Sequence, residues 1–196
     1  MEHIAELGRI VTGFHITERC IDCMCGKDLL KIDKHSRDII CQRTVFEKEG
    51  LSRKLAADNE HIYIYDFCTL YVLNQRNYEL IGKWQLGSDL SSDICGMTVD
   101  EDTIYCCIRN GKMITLDKQS YQAKEFIVSE SSMWSIKTYD QYLISGTVDG
   151  KLLLLDKSTL SIEKILFWGR KTSAACTSME KRCMPQVMME NFAKSA

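Results

Sequence analysis

Polar and apolar side chains alternate with period two, or run together in short apolar blocks, along most of the chain, and no helical period intervenes. Four blocks have the composition of half-buried or buried strands: "RCIDCMC", "HIYIYDF", "TIYCCIRN" and "QYLISGTV". A second apolar block follows each: "LLKID", "LYVLN", "MITLD" and "LLLLD". The pairs flank "Gly26-Lys27", "Asn110-Gly111" and "Asp149-Gly150"; the last two are strong signals for two-residue turns with both residues at positive φ, and the second pair has no such signal. Further strands are predicted downstream at "DIICQRTVF", "YELIGKWQL", "AKEFIV" and "SIEKILFW", and upstream at "IVTGFHI", "SRKLAAD", "ICGMTV" and "WSIKTY".

These elements repeat in register. Asp33, Asn74, Asp117 and Asp156 each follow an aliphatic residue, at intervals of 41, 43 and 39 residues. Three positions after each anchor stands Ser36, Asn77, Ser120 or Thr159, which predicts a turn whose anchor side chain accepts from backbone N–H groups. The anchor is therefore structural. Four antiparallel strands in each of four units, at that period, predict an all-β array of radially stacked sheets, a β-propeller. The expected blades are 10–48, 49–88, 89–129 and 130–168. Residues 1–9 are read as an N-terminal segment or closing strand, and 169–196 as a tail that starts an incomplete fifth repeat.

The units carrying "LLKID", "LYVLN", "MITLD" and "SGTVDGKLLLLD" resemble WD40-like repeats, and "NGKMITLDKQS" and "DGKLLLLDKST" are similar also to quinoprotein-like propeller strands. The first resemblance implies a scaffold for protein–protein interaction. The second implies, as the alternative, an oxidoreductase with a redox cofactor in its central funnel. Four blades are the minimum for closure, so the array is expected either as a small ring or as a partial propeller completed by a second copy or a longer parent chain.

Composition narrows the function. A formal net charge of −2 gives no reason to expect nucleic acid or an anionic membrane as partner. "MEHIAELGRIVTGFH" has neither the basic start nor the apolar core of a signal peptide, so the expectation is an intracellular, cytoplasmic protein. The 10 cysteines are then small buried side chains or metal ligands rather than disulfides. Cys20, Cys23 and Cys25 have spacing that could begin a zinc site, but no second ligand pair follows, and Cys23 aligns with Cys107 and Gly146 as a packing position. His3, His15, His35 and His61 have no catalytic setting, and no phosphate, dinucleotide or zinc-hydrolase fingerprint occurs. No catalytic residues and no cofactor are assigned. What remains is recognition by loops on a rigid frame. Cys25, Asp66, Arg109 and Val148 end the second strands at positions read as equivalent, and Trp134 opens an innermost strand. Asp66, Arg109 and Trp134 are the candidate partner-binding residues, for a protein partner.

Overall fold

The computed structural model describes residues 10–48, 53–66, 69–85 and 94–167. The proposed closing segment 1–9 and the tail 169–196 lie outside the described residues. Sixteen strands form four separate four-stranded antiparallel sheets, each a meander in sequence order. Blade 1 holds β1 (Val11–Ile16), β2 (Cys20–Cys25), β3 (Asp28–Asp33) and β4 (Ile39–Thr44). Blade 2 holds β5 (Lys54–Ala57), β6 (His61–Asp66), β7 (Thr69–Asn74) and β8 (Leu80–Gln85). Blade 3 holds β9 (Ile94–Val99), β10 (Thr103–Ile108), β11 (Lys112–Asp117) and β12 (Ala123–Ile127). Blade 4 holds β13 (Met133–Tyr139), β14 (Tyr142–Thr147), β15 (Lys151–Asp156) and β16 (Ile162–Phe167). The arrangement is a four-blade β-propeller, and no helix that could cross a membrane occurs among the described residues.

The second and third strands of each blade read as near-continuous apolar runs because they lie mid-sheet, where a neighbouring blade packs on one face or, for blades 2 and 3, on both. The fourth strands β4, β8, β12 and β16 are largely exposed. The innermost strands β1, β5, β9 and β13 follow one another around the axis. Gly13 and Gly96 allow two of these approaches: a Cβ on Gly13 would lie 2.9 Å from the Leu55 Cβ, and one on Gly96 would lie 3.0 Å from the Ser135 Cα.

Three cores hold the blades together. Met24 and Leu29 of blade 1 pack with Leu55, Ile62, Ile64 and Leu73 of blade 2. Tyr63, Tyr65, Leu70 and Val72 of blade 2 pack with Met97, Ile104, Cys106 and Leu116 of blade 3. Tyr105, Cys107 and Met113 of blade 3 pack with Ile136, Leu143, Leu153 and Leu155 of blade 4. The remaining cluster, Cys23, Cys25, Leu30 and Ile32, draws on blade 1 alone. On the same face Phe14 is 60% exposed, whereas its counterparts Leu55, Met97 and Ile136 are 7%, 5% and 3% exposed. Among the described residues, then, blade 4 and blade 1 share no core of the kind that joins the other neighbours.

The anchors cap their turns as the spacing suggests. Each anchor side chain accepts from the N–H groups two and three residues on: His35 and Ser36, Arg76 and Asn77, Gln119 and Ser120, Ser158 and Thr159. The Ser36 N–H at Asp33, the Ser120 N–H at Asp117 and the Ser158 hydroxyl at Asp156 lead the donors that hold these carboxyls below the usual range.

The strand register corrects two expectations. At Asn110-Gly111 and Asp149-Gly150 only the glycines have positive φ, 79° in both. Gly111 N–H donates to Ile108 O and Gly150 N–H to Thr147 O, so each hairpin is a type I turn closed by a left-handed glycine, one residue longer than a two-residue turn. Arg109 and Val148 therefore sit inside turns, one step beyond Cys25 and Asp66, and the four positions are not equivalent. Pairing with the anchors likewise aligns Cys23 with Cys106 and Ser145 rather than with Cys107 and Gly146.

Candidate partner-binding site

Two of the three candidate residues meet. The segment after β12 is fastened to the β10–β11 turn, where Val128 and Ser129 N–H both donate to Gly111 O. Gly111 is required there, since a Cβ would fall 1.9 Å from Ser129 O. That contact carries the chain from the blade 3 turn directly to the start of β13. A β-bulge between Met133 and Ser135 then turns Trp134 out of the ladder. Trp134 is 53% exposed, and the Arg109 guanidinium lies over its ring, 5.5 Å from the centroid. Val148, 61% exposed, is tied beside them by its N–H to Ser132 O.

Two lysines at this end are paired with carboxylates of their own blades. Lys112 meets Glu125 at 2.5 Å and Lys151 meets Asp149 at 2.6 Å. Lys151, then Thr147, hold the Asp149 carboxyl far below the usual range. Arg109 makes no ion pair among the described residues. Asp66 is not brought to this patch: its carboxylate lies 3.1 Å from Arg53 Nε. Arg53 is 4% exposed, donates to Gly26 O and Lys48 O, and stacks on Phe46, so this ion pair belongs to the junction of blades 1 and 2.

Cys23 and Cys25 are buried with Leu30 and Ile32, while Cys20 alternates to the opposite face of β2. Burial, with smaller contributions from Cys25 and Asp22, pushes the Cys23 thiol up to about 11, away from the thiolate a metal needs. Among the described residues no group of three His, Cys, Asp or Glu side chains is placed to hold a metal.

The opposite end of the blades carries a second feature. An open cavity of about 1060 Å³ is lined by His15, Asp58, Asp100, Asp140, Lys118 and Lys157, among others. Asp58 accepts from Glu60 and His61 N–H, from the Tyr63 hydroxyl and from Lys118 of the next blade at 2.6 Å. Asp100 repeats this with Asp102 and Thr103 N–H and the Tyr105 hydroxyl, and Lys157 of blade 4 stands 3.4 Å away. The signal was present as "DNEHIY" and "DEDTIY", an Asp five residues ahead of a Tyr. Because these two carboxylates are committed to turns and lysines, they form no free acid–base pair; burial lowers the basicity of His15.

No family model matches the chain, and no curated protein matches it either. Among solved structures it is similar to the crystal structure of the computationally designed Ika4 protein, with a TM-score of 0.58 and 12% identity over 82% of this chain and 92% of that one. At that identity the likeness shows the fold alone.

Proposed function

We propose that this chain is a non-catalytic, intracellular interaction module, a propeller of the WD40-like type, that binds a protein partner at the face formed by the β10–β11 and β14–β15 turns. The observation that carries it is the exposed Trp134 under the Arg109 guanidinium, positioned by a bulge and a fastened loop. A large aromatic turned toward water contributes nothing to the blade core, yet Trp and Arg are the residue types that most often supply binding energy at protein interfaces. Rigid backbone on both sides lowers the ordering cost of a contact there.

The test is affinity capture with the full chain, identification of the captured protein, and titration of that purified partner. Trp134→Ala and Arg109→Ala are each expected to weaken binding by roughly tenfold or more while leaving the melting temperature within a degree or two. A partner that binds both variants as tightly as the parent would defeat the reading.

A further inference from the structure

We infer that the Trp134 patch receives an acidic peptide segment, its carboxylate on the outer edge of Arg109 and a neighbouring apolar side chain against Trp134 and Val148. This rests on the interaction reading above and specifies its partner. The Arg109 guanidinium lies over the indole at 5.5 Å, a cation–π contact that uses none of its N–H donors. Those donors match a carboxylate with two parallel hydrogen bonds. Charge balance points the same way. Lys112, Lys151 and Arg53 have their carboxylates within the chain, whereas exposed Arg109 makes no ion pair among the described residues. An unpaired Arg beside a Trp is attractive to a single carboxylate and unattractive to a basic segment.

The choice against other anions is also physical. Phosphate recognition draws on several cations or a cluster of N–H donors, and here a lone guanidinium stands amid neutralised lysines. A nucleic-acid strand needs a basic stripe to track its backbone, and the surrounding Val148 and Trp134 supply apolar area instead. Aromatic and aliphatic exposure next to one positive charge fits a short segment in which Asp or Glu adjoins a Leu, Ile or Phe. The acid would fix orientation and the apolar neighbour would provide most of the buried area.

The full chain, immobilised, should be used to select from a library of short random peptides, and selected peptides measured in solution against acid-to-amide analogues. Enrichment of Asp or Glu beside an apolar residue is expected, with the Gln or Asn analogue binding roughly tenfold more weakly. Arg109→Gln should abolish that preference, Arg109→Lys should keep part of it, and Trp134→Ala should remove binding of either analogue. Neutral or basic enrichment, an acid preference that survives Arg109→Gln, or no selection at all would overturn the inference. If the captured protein partner is lost on Trp134→Ala yet shows no acid preference, only this inference falls. If that partner ignores Trp134→Ala, the interaction reading falls as well.

Discussion

At the residue scale, the backbone of each anchor turn closes on a left-handed residue that is not glycine. Arg37, Tyr78, Tyr121 and Leu160 have φ of 68°, 60°, 54° and 57°, each four positions past its anchor, and each N–H donates to the anchor carbonyl. An L-residue in that conformation costs about 1–2 kcal/mol. Three of the four recover this by packing against the preceding blade. Tyr78 is fully buried and donates to Asp22 of blade 1, Tyr121 stacks on Trp84 of blade 2 at 3.8 Å, and Leu160 joins the core shared with blade 3. Arg37 is exposed and has no such core. Tyr78→Gly is expected to lower stability by about 3–5 kcal/mol through the cavity left behind, and Tyr121→Gly by less, because Tyr121 is only partly buried. Urea midpoints at unchanged slope provide the comparison. A loss in Tyr78→Gly no greater than in Tyr121→Gly would show that burial does not govern these turns.

Between elements, the repeated contact of Asp, Tyr and the next blade's Lys joins blades 2, 3 and 4 at the cavity end. Burial raises the Asp58 pKa, but Lys118, the N–H groups of Glu60 and His61, and Tyr63 together hold it below the usual carboxylate range. A depressed folded-state pKa contributes stability above the unfolded value, near 4, that is lost as the pH falls through the folded value. Lys118→Met should cost about 1.5–3 kcal/mol at neutral pH and flatten the acid limb of the stability profile. Lys157→Met, acting over 3.4 Å, should cost less. Chemical unfolding from pH 3 to 7 measures both, and equal acid slopes in parent and Lys118→Met would refute the assignment. This lock also marks the limit of what the chain discloses before folding. Strands and anchors are legible because period-two burial and an N–H-accepting turn are local. Lys118 and Asp58 lie 60 residues apart, and no periodicity links them. The Trp134–Arg109 pair is half legible: both residue types draw notice, but their meeting depends on a bulge and on the extra turn residue before Gly111. Asp66 is instead taken up by Arg53, which stands just ahead of the strand that opens the same blade, a pairing across 13 residues that no local pattern marks.

The molecule as a whole has two terminal faces that differ from its three formed junctions. Blade 1 turns Phe14 and Ile16 outward at 60% and 55% exposure, on the face whose counterpart in blade 2 buries Leu55 and Ala57 against blade 1. Blade 4 presents half-buried Ile144, Leu152 and Leu154 on its far face, where blades 2 and 3 place Tyr63 and Tyr105 for the lock. Among the described residues Lys34, which follows the anchor as Lys118 and Lys157 do, reaches only Thr17 O of its own blade, at 3.4 Å. Exposed Arg37 keeps the rim of blade 1 polar, so an added contact would centre on the inner strand rather than span the blade. A Phe and an Ile on one strand face form an apolar strip that water leaves readily, and blade 4 of a second copy offers aliphatic surface of the complementary kind. The expected behaviour is concentration-dependent self-association above the 22.5 kDa monomer. Phe14→Ser combined with Ile16→Ser should restore the monomer and leave the circular dichroism of the sheets unchanged. Light scattering across a concentration series decides the matter, and a parent protein that stays monodisperse at the monomer mass throughout would show that the terminal faces are complete without a second copy.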